Sequence, residues 1–215
     1  TVSSTALTGD LNVASNSGAV NIGDVSGTAT FGDAQADVTA TGTLGALDAT
    51  LNGGNLSAAT VSGATTVNGT GNATITSANT VSSTALTGDL NVASNSGAVN
   101  IGDVSGTATF GDAQADVTAT DTLGALDATL NGGNLSAATV SGATTVNGTG
   151  NATIASANTV SSTALTGDLN VASNSGAVNI GDVSGTATFG DAQADVTATG
   201  TLGALDATLN GGNLS

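Results

Sequence analysis

The segment AVNIGDVSGTATFGDAQADVTATGTLG, Ala19 to Gly45, divides into three units of nine residues, and its reading decides the fold. In each unit the second and fourth residues are apolar: Val20 and Ile22, Ala29 and Phe31, Val38 and Ala40. The residue between them is polar: Asn21, Thr30 and Thr39. That inside-outside alternation is the mark of a short strand buried on one face. Two of the three units close on Gly, where a chain turning a corner needs unusual backbone freedom.

The same unit extends in both directions. From Thr1 to Asn79 the chain parses into nine units, seven of nine residues and two of eight, the short ones being ATTVNGTG and NATITSAN. The second position is apolar in eight of the nine, with Thr65 the exception, and the fourth in eight, with Ser4 the exception. The third position is polar throughout. A longer period overlies this one: TVSSTALTGDLNVASNSGAVNIGDVSG begins at Thr1, Thr80 and Thr159, so the copies are 79 residues apart. They run over 1–79, 80–158 and, incompletely, 159–215, and differ only where Asp121 stands for Gly42 and Gly200 and where Ala155 stands for Thr76. Self-similarity of this kind predicts one continuous solenoid over 1–215, a window of a longer array.

The predicted fold is all-β, a parallel β-solenoid in which each unit supplies a strand and a corner. Nine units divide evenly by three, so three units per coil, about 26 residues, is the preferred form. That form stacks Val20 with Leu47 and Ala73, and Phe31 with Ala58 and Ser83. It also sets Asp10 over Asp37, two like charges one strand spacing apart. The alternative has two units per coil and ends each 79-residue copy on a half turn. The expected interior comprises Val20, Ile22, Phe31, Leu47, Leu56, Val67 and Ile75.

Composition removes most functional classes. Among 215 residues there is no Lys, Arg, His or Cys, and 16 acidic residues give a net charge of −16. Without cations the chain cannot neutralise phosphates, which excludes nucleic acid and anionic membrane surfaces as partners. Without Cys or His there is no thiolate chemistry, no imidazole base and no Cys-based zinc site. No apolar run reaches the roughly 20 residues of a membrane-spanning helix. Mean hydropathy is positive, +0.23, and charged residues make up 7 %, unlike a disordered chain.

Aspartates are the remaining reactive groups. Asp10, Asp24, Asp33 and Asp37, with Asn side chains and corner carbonyls, are candidate Ca²⁺ ligands, because hard cations take oxygen donors. The calcium pattern of nine-residue RTX repeats, GGxGxDxUx, matches no unit. A glycoside hydrolase would use a pair of Asp as acid and base, but here the same set recurs in every copy. Thr28-Ala29-Thr30 and Thr39-Ala40-Thr41 suggest an ice-binding array, although the outward residues vary too much for one uniform face. Asn55, Asn68 and Asn72 head N-x-S/T sequons and are candidate glycosylation sites. No cofactor is required by any of these readings.

The stretch GNLSAATVSGATTVNGTGNATITSAN, Gly54 to Asn79, resembles the repeats of filamentous-haemagglutinin-type exoproteins and other giant bacterial surface adhesins. The resemblance implies an elongated right-handed β-helix, secreted and displayed on the cell surface or shed from it. Together with the composition it leads to an expected function: an extracellular structural repeat that forms or extends a self-assembling fibre, stalk, sheath or biofilm-matrix filament. Its partner would be further copies of itself, with no membrane insertion. The alternative is an adhesin or calcium-dependent bundling module, whose contacts to glycans or other cells lie in regions outside this segment.

Overall fold

A computed structural model describes all residues, 1–215, and contains strands and turns but no helix. Strands Val2–Leu7, Leu11–Val13, Val20–Ala34, Val38–Leu51, Leu56–Gly69 and Ala73–Leu86 cover the first copy and the start of the second. Fifteen strands form one sheet, and every pairing is parallel. Partners lie one coil apart along the chain, so this is the β-solenoid expected from the alternation.

The coil holds two units, not three. Val20 pairs with Val38, Val38 with Leu56, Leu56 with Ala73, Ala73 with Leu90 and Leu90 with Ala108. The column continues through Leu126, Thr144 and Val160 to Val178. From Val20 to Val178 is 158 residues in nine steps of 16 to 18 residues, so two 79-residue copies close on nine coils. The 16-residue step, Thr144 to Val160, is where the two eight-residue units meet.

The three-unit stacking is therefore corrected. Val20 lies between Val2 and Val38, Leu47 between Ala29 and Thr65, and Ala73 between Leu56 and Leu90. Phe31 is stacked between Val13 and Ala49, not with Ala58 and Ser83, so each ring is still accommodated by a small neighbour. Divisibility of nine by three carried no physical weight. A side chain must suit the residue one coil away, and the two-unit register separates Asp10 from Asp37 where the three-unit register stacked them.

Side chains at the second, fourth and seventh positions of a unit fill the interior. Val20, Ile22 and Val25 are buried in one unit, and Ala29, Phe31 and Ala34 in the next. Val20, Ile22, Phe31, Leu47, Leu56, Val67 and Ile75 all belong to one continuous core of Ala, Val, Leu, Ile and Phe. Both polar exceptions also point inward: Thr65 and Thr144 are 1 % exposed, and the counterparts of Ser4, Ser83 and Ser162, are buried. The Thr65 and Thr144 hydroxyls have no hydrogen-bond partner.

Corner glycines serve a different purpose from the one expected. Of the seven that end units in the first copy, only Gly9 has positive φ (123°). The rest answer to crowding between coils: a Cβ on Gly71 would strike the carbonyl oxygen of Gly54, and one on Gly88 that of Gly71. At position 42 the same crowding is relieved by movement. In the second copy Asp121 occupies that place, and the neighbouring bond from a Thr amide to an Asp carboxylate lengthens from 2.7 Å (Thr43 to Asp24) to 3.0 Å (Thr122 to Asp103).

Two core substitutions have opposite expected signs. Phe110→Ala, which empties the space between Val92 and Ala128, should cost about 3–5 kcal/mol. Thr144→Val removes a buried hydroxyl without a partner and should stabilise by about 1 kcal/mol. Urea unfolding followed by circular dichroism measures both.

Candidate functional site

The two edges of the coil, where one unit passes into the next, concentrate the polar chemistry. On the first edge Asp37 Oδ1 accepts from the backbone N–H of Asn55 (3.0 Å) and from its Nδ2 (3.2 Å). Asn55 Oδ1 accepts from Asn72 N (3.0 Å), Asn72 Oδ1 from Asp89 N (2.8 Å), and Asp89 Oδ1 from Thr107 N (2.8 Å). Each side chain thus caps an amide of the following coil that the turn leaves outside the strand ladder. The chain breaks strand structure at these corners, between Ala34 and Val38 and between Leu51 and Leu56. On the opposite edge, at Thr28 and Ala46, strands Val20–Ala34 and Val38–Leu51 run through the corner unbroken.

Half a turn per copy moves this ladder to the other side. Asp116, Asn134, Asn151, Asp168 and Thr186 repeat every bond on the second edge, at 2.8–3.1 Å. Asp195 and Asn213 begin it again on the first. The order Asp-Asn-Asn-Asp matters electrostatically. Carboxylates in one ladder stand three coils, roughly 14 Å, apart, which exceeds the Debye length of about 10 Å at 0.1 M salt.

The candidate calcium ligands are distributed, not gathered. Asp10 accepts from Thr28 N (2.8 Å) on the edge opposite Asp37, because Leu11 pairs with Ala29 while Val38 pairs with Val20. Asp24 accepts from Thr43 N (2.7 Å). Asp33 accepts from Asn52 Nδ2 on one oxygen and from Gln35 Nε2 on the other, both at 2.8 Å. Nowhere do three acidic side chains converge as a metal site would require.

Asp33, Asp112 and Asp191 have their carboxyls held below the ordinary aspartate range, first by the Asn52, Asn131 and Asn210 amides and then by Gln35, Gln114 and Gln193. A general acid needs the opposite shift.

Of the sequon asparagines, Asn55 spends its Nδ2 on Asp37, so a glycan there would displace a ladder bond. Asn68 Oδ1 accepts from Thr84 N (2.8 Å), Thr84 Oγ1 (3.0 Å) and Ala85 N (3.3 Å). Asn72 uses only its Oδ1.

Sequence reasoning passed over Asn16, Asn95 and Asn174, which are buried at the turn that follows the short strand of each copy. Asn16 Nδ2 bridges the carbonyls of Gly18 and Ala36, both at 3.0 Å, closing the turn across two coils. The available signal was SNSG, an Asn two residues before a corner Gly.

Surface concavities are open and polar. One is lined by Asp37, Thr39, Asn55, Ser57, Asn72 and Thr74, and its counterpart in the next copy by the equivalent residues from Asp116 to Thr153. The chain matches no family model, and no curated protein or solved structure shows significant similarity to it.

Asn134→Asp should destabilise the rod at neutral pH. It removes the Nδ2 donor and sets a second carboxylate against Asp116, and acidification should recover the loss; thermal melts across pH read both. Because Asp33 has a folded-state pKa below its unfolded value, its contribution is present above the unfolded value and lost as pH falls through the folded one. NMR titration should place the midpoints of Asp33, Asp112 and Asp191 below the ordinary range, and Asn52→Ala should raise that of Asp33.

Proposed function

We propose that this chain is an extracellular structural rod that forms or extends a self-assembling surface fibre, stalk, sheath or matrix filament, with further copies of itself as partner. The observation that carries the reading is the closure of two 79-residue copies on nine coils. Each added copy lengthens the rod by four and a half coils and creates no new kind of site. The task is mechanical: axial hydrogen bonds carry load, and a dry interior of small side chains keeps the coils in register.

The half-turn phase supports lateral growth. A contact made by one edge is offered again by the opposite edge one copy further along, so rods joined side by side extend into a sheet without changing the contact. The absence of Lys and Arg leaves no trypsin cleavage points, which suits exposed material. The likeness to filamentous-haemagglutinin-type repeats agrees with a secreted setting.

Cryo-electron microscopy of the native assembled material tests the reading. A filament should show a coil spacing of about 4.8 Å, a true axial period of about 43 Å and a strong half-period near 22 Å. Compact single particles would overturn it. Filaments should persist in a calcium chelator; their loss would favour the cation-bundled adhesin instead.

A further inference from the structure

Five Asn-Gly pairs occur in the chain, at Asn52, Asn68, Asn131, Asn147 and Asn210, and the fold divides them into two classes. Asn52, Asn131 and Asn210 are exposed and lie outside the strands, each followed by an exposed Gly with positive φ: Gly53 (121°), Gly132 (131°) and Gly211 (150°). The N–H of each of these glycines makes no hydrogen bond, although the residues on either side are anchored. Asn52 N and Gly54 N both donate to Ala34 O, at 2.8 and 3.1 Å. The Asn52 side chain is tied by one bond, from Nδ2 to Asp33. Asn68 and Asn147 are half-buried at strand ends, and their Oδ1 atoms accept at least three bonds from the next coil. Gly69 and Gly148 stay in the sheet, paired with Leu51 and Leu130.

We infer that Asn52, Asn131 and Asn210 are sites of spontaneous deamidation, one per copy, and that Asn68 and Asn147 are protected by the fold. The backbone nitrogen of Gly53 attacks Cγ of Asn52, the new N–Cγ bond closes a five-membered succinimide, and the amide nitrogen leaves as ammonia. Water then adds across either carbonyl, giving aspartate or isoaspartate. Glycine favours the step because it places no side chain against the closing ring and adopts the required backbone angles. At Asn68 ring closure would have to break the bonds to Thr84 and Ala85 first, and each such bond adds to the barrier.

The product changes the corner. Asn52 Nδ2 is the donor that ties its coil to Asp33, so deamidation puts a carboxylate against a carboxylate one coil below. Each event adds a negative charge to a chain that carries no cationic side chain to offset it. The rod would thus record its age as loosened corners, at one position per copy.

Incubation of the folded chain at neutral to mildly alkaline pH, followed by chymotryptic peptide mapping and enzymatic methyl-labelling of isoaspartate, tests this. Asn52, Asn131 and Asn210 should convert at least about tenfold faster than Asn68 and Asn147. In concentrated urea all five should convert at comparable rates. Equal rates in the folded chain would overturn the inference, as would slowing of Asn52 on folding by as much as Asn68. As a second reading, the Asp33 midpoint should rise in the aged protein, as it should in Asn52→Asp.

Discussion

Parallel stacking at one strand spacing governs this molecule: every residue lies against the residue one coil before it and one coil after it. Any side chain must therefore be compatible with its own column. A Phe needs Val and Ala above and below, which is how Phe31, Phe110 and Phe189 are placed. A carboxylate needs a donor in the next coil, which is why Asp37 is followed by Asn55 and Asp89 by the amide of Thr107. A corner so tight that a carbonyl occupies the place of a Cβ admits only Gly, as at Gly71.

The same constraint explains how a chain with 16 negative and no positive side chains stays folded. In each copy Asp10, Asp24 and Asp37 accept backbone amides of the next coil, and Asp33 accepts two side-chain amides. Hydrogen bonds to the charged form stabilise it without a counter-ion. Spacing does the rest: within a ladder the carboxylates lie beyond the screening length, so mutual repulsion is weak in ordinary salt.

Much of the fold was legible because the alternation of Val20, Asn21 and Ile22, repeated at a fixed spacing, has few structural solutions. Burial of Leu47, Leu56, Val67 and Ile75 followed from the same pattern. The coil number was not legible from divisibility. It was encoded in the columns, where the three-unit register stacked Asp10 on Asp37 and the two-unit register gives each a neutral neighbour. Asn16 escaped notice because a buried amide that bridges Gly18 and Ala36 joins residues of two coils, and its role appears only once the coil length is known. The corner glycines were identified at the right places but for backbone angle, whereas close approach between coils is what most of them satisfy.

The eight-residue units are the least regular part of the sequence, and they keep the copies in phase. With nine full units each copy would span 81 residues and still amount to four and a half coils, so the shortening does not set the half turn. Its effect is local, giving one 16-residue coil, Thr144 to Val160, inside an 18-residue solenoid. The odd number of units is what sets the half turn. An even number would return every ladder to the same edge and leave the rod with one acidic side and one neutral side. Nine units instead alternate the Asp-Asn ladder between edges, so charge is balanced about the axis over every two copies. A long polymer with one charged side experiences unequal repulsion and bends away from it. Alternation cancels that bias, and an odd unit count is the simplest sequence device that keeps a homopolymeric acidic rod straight.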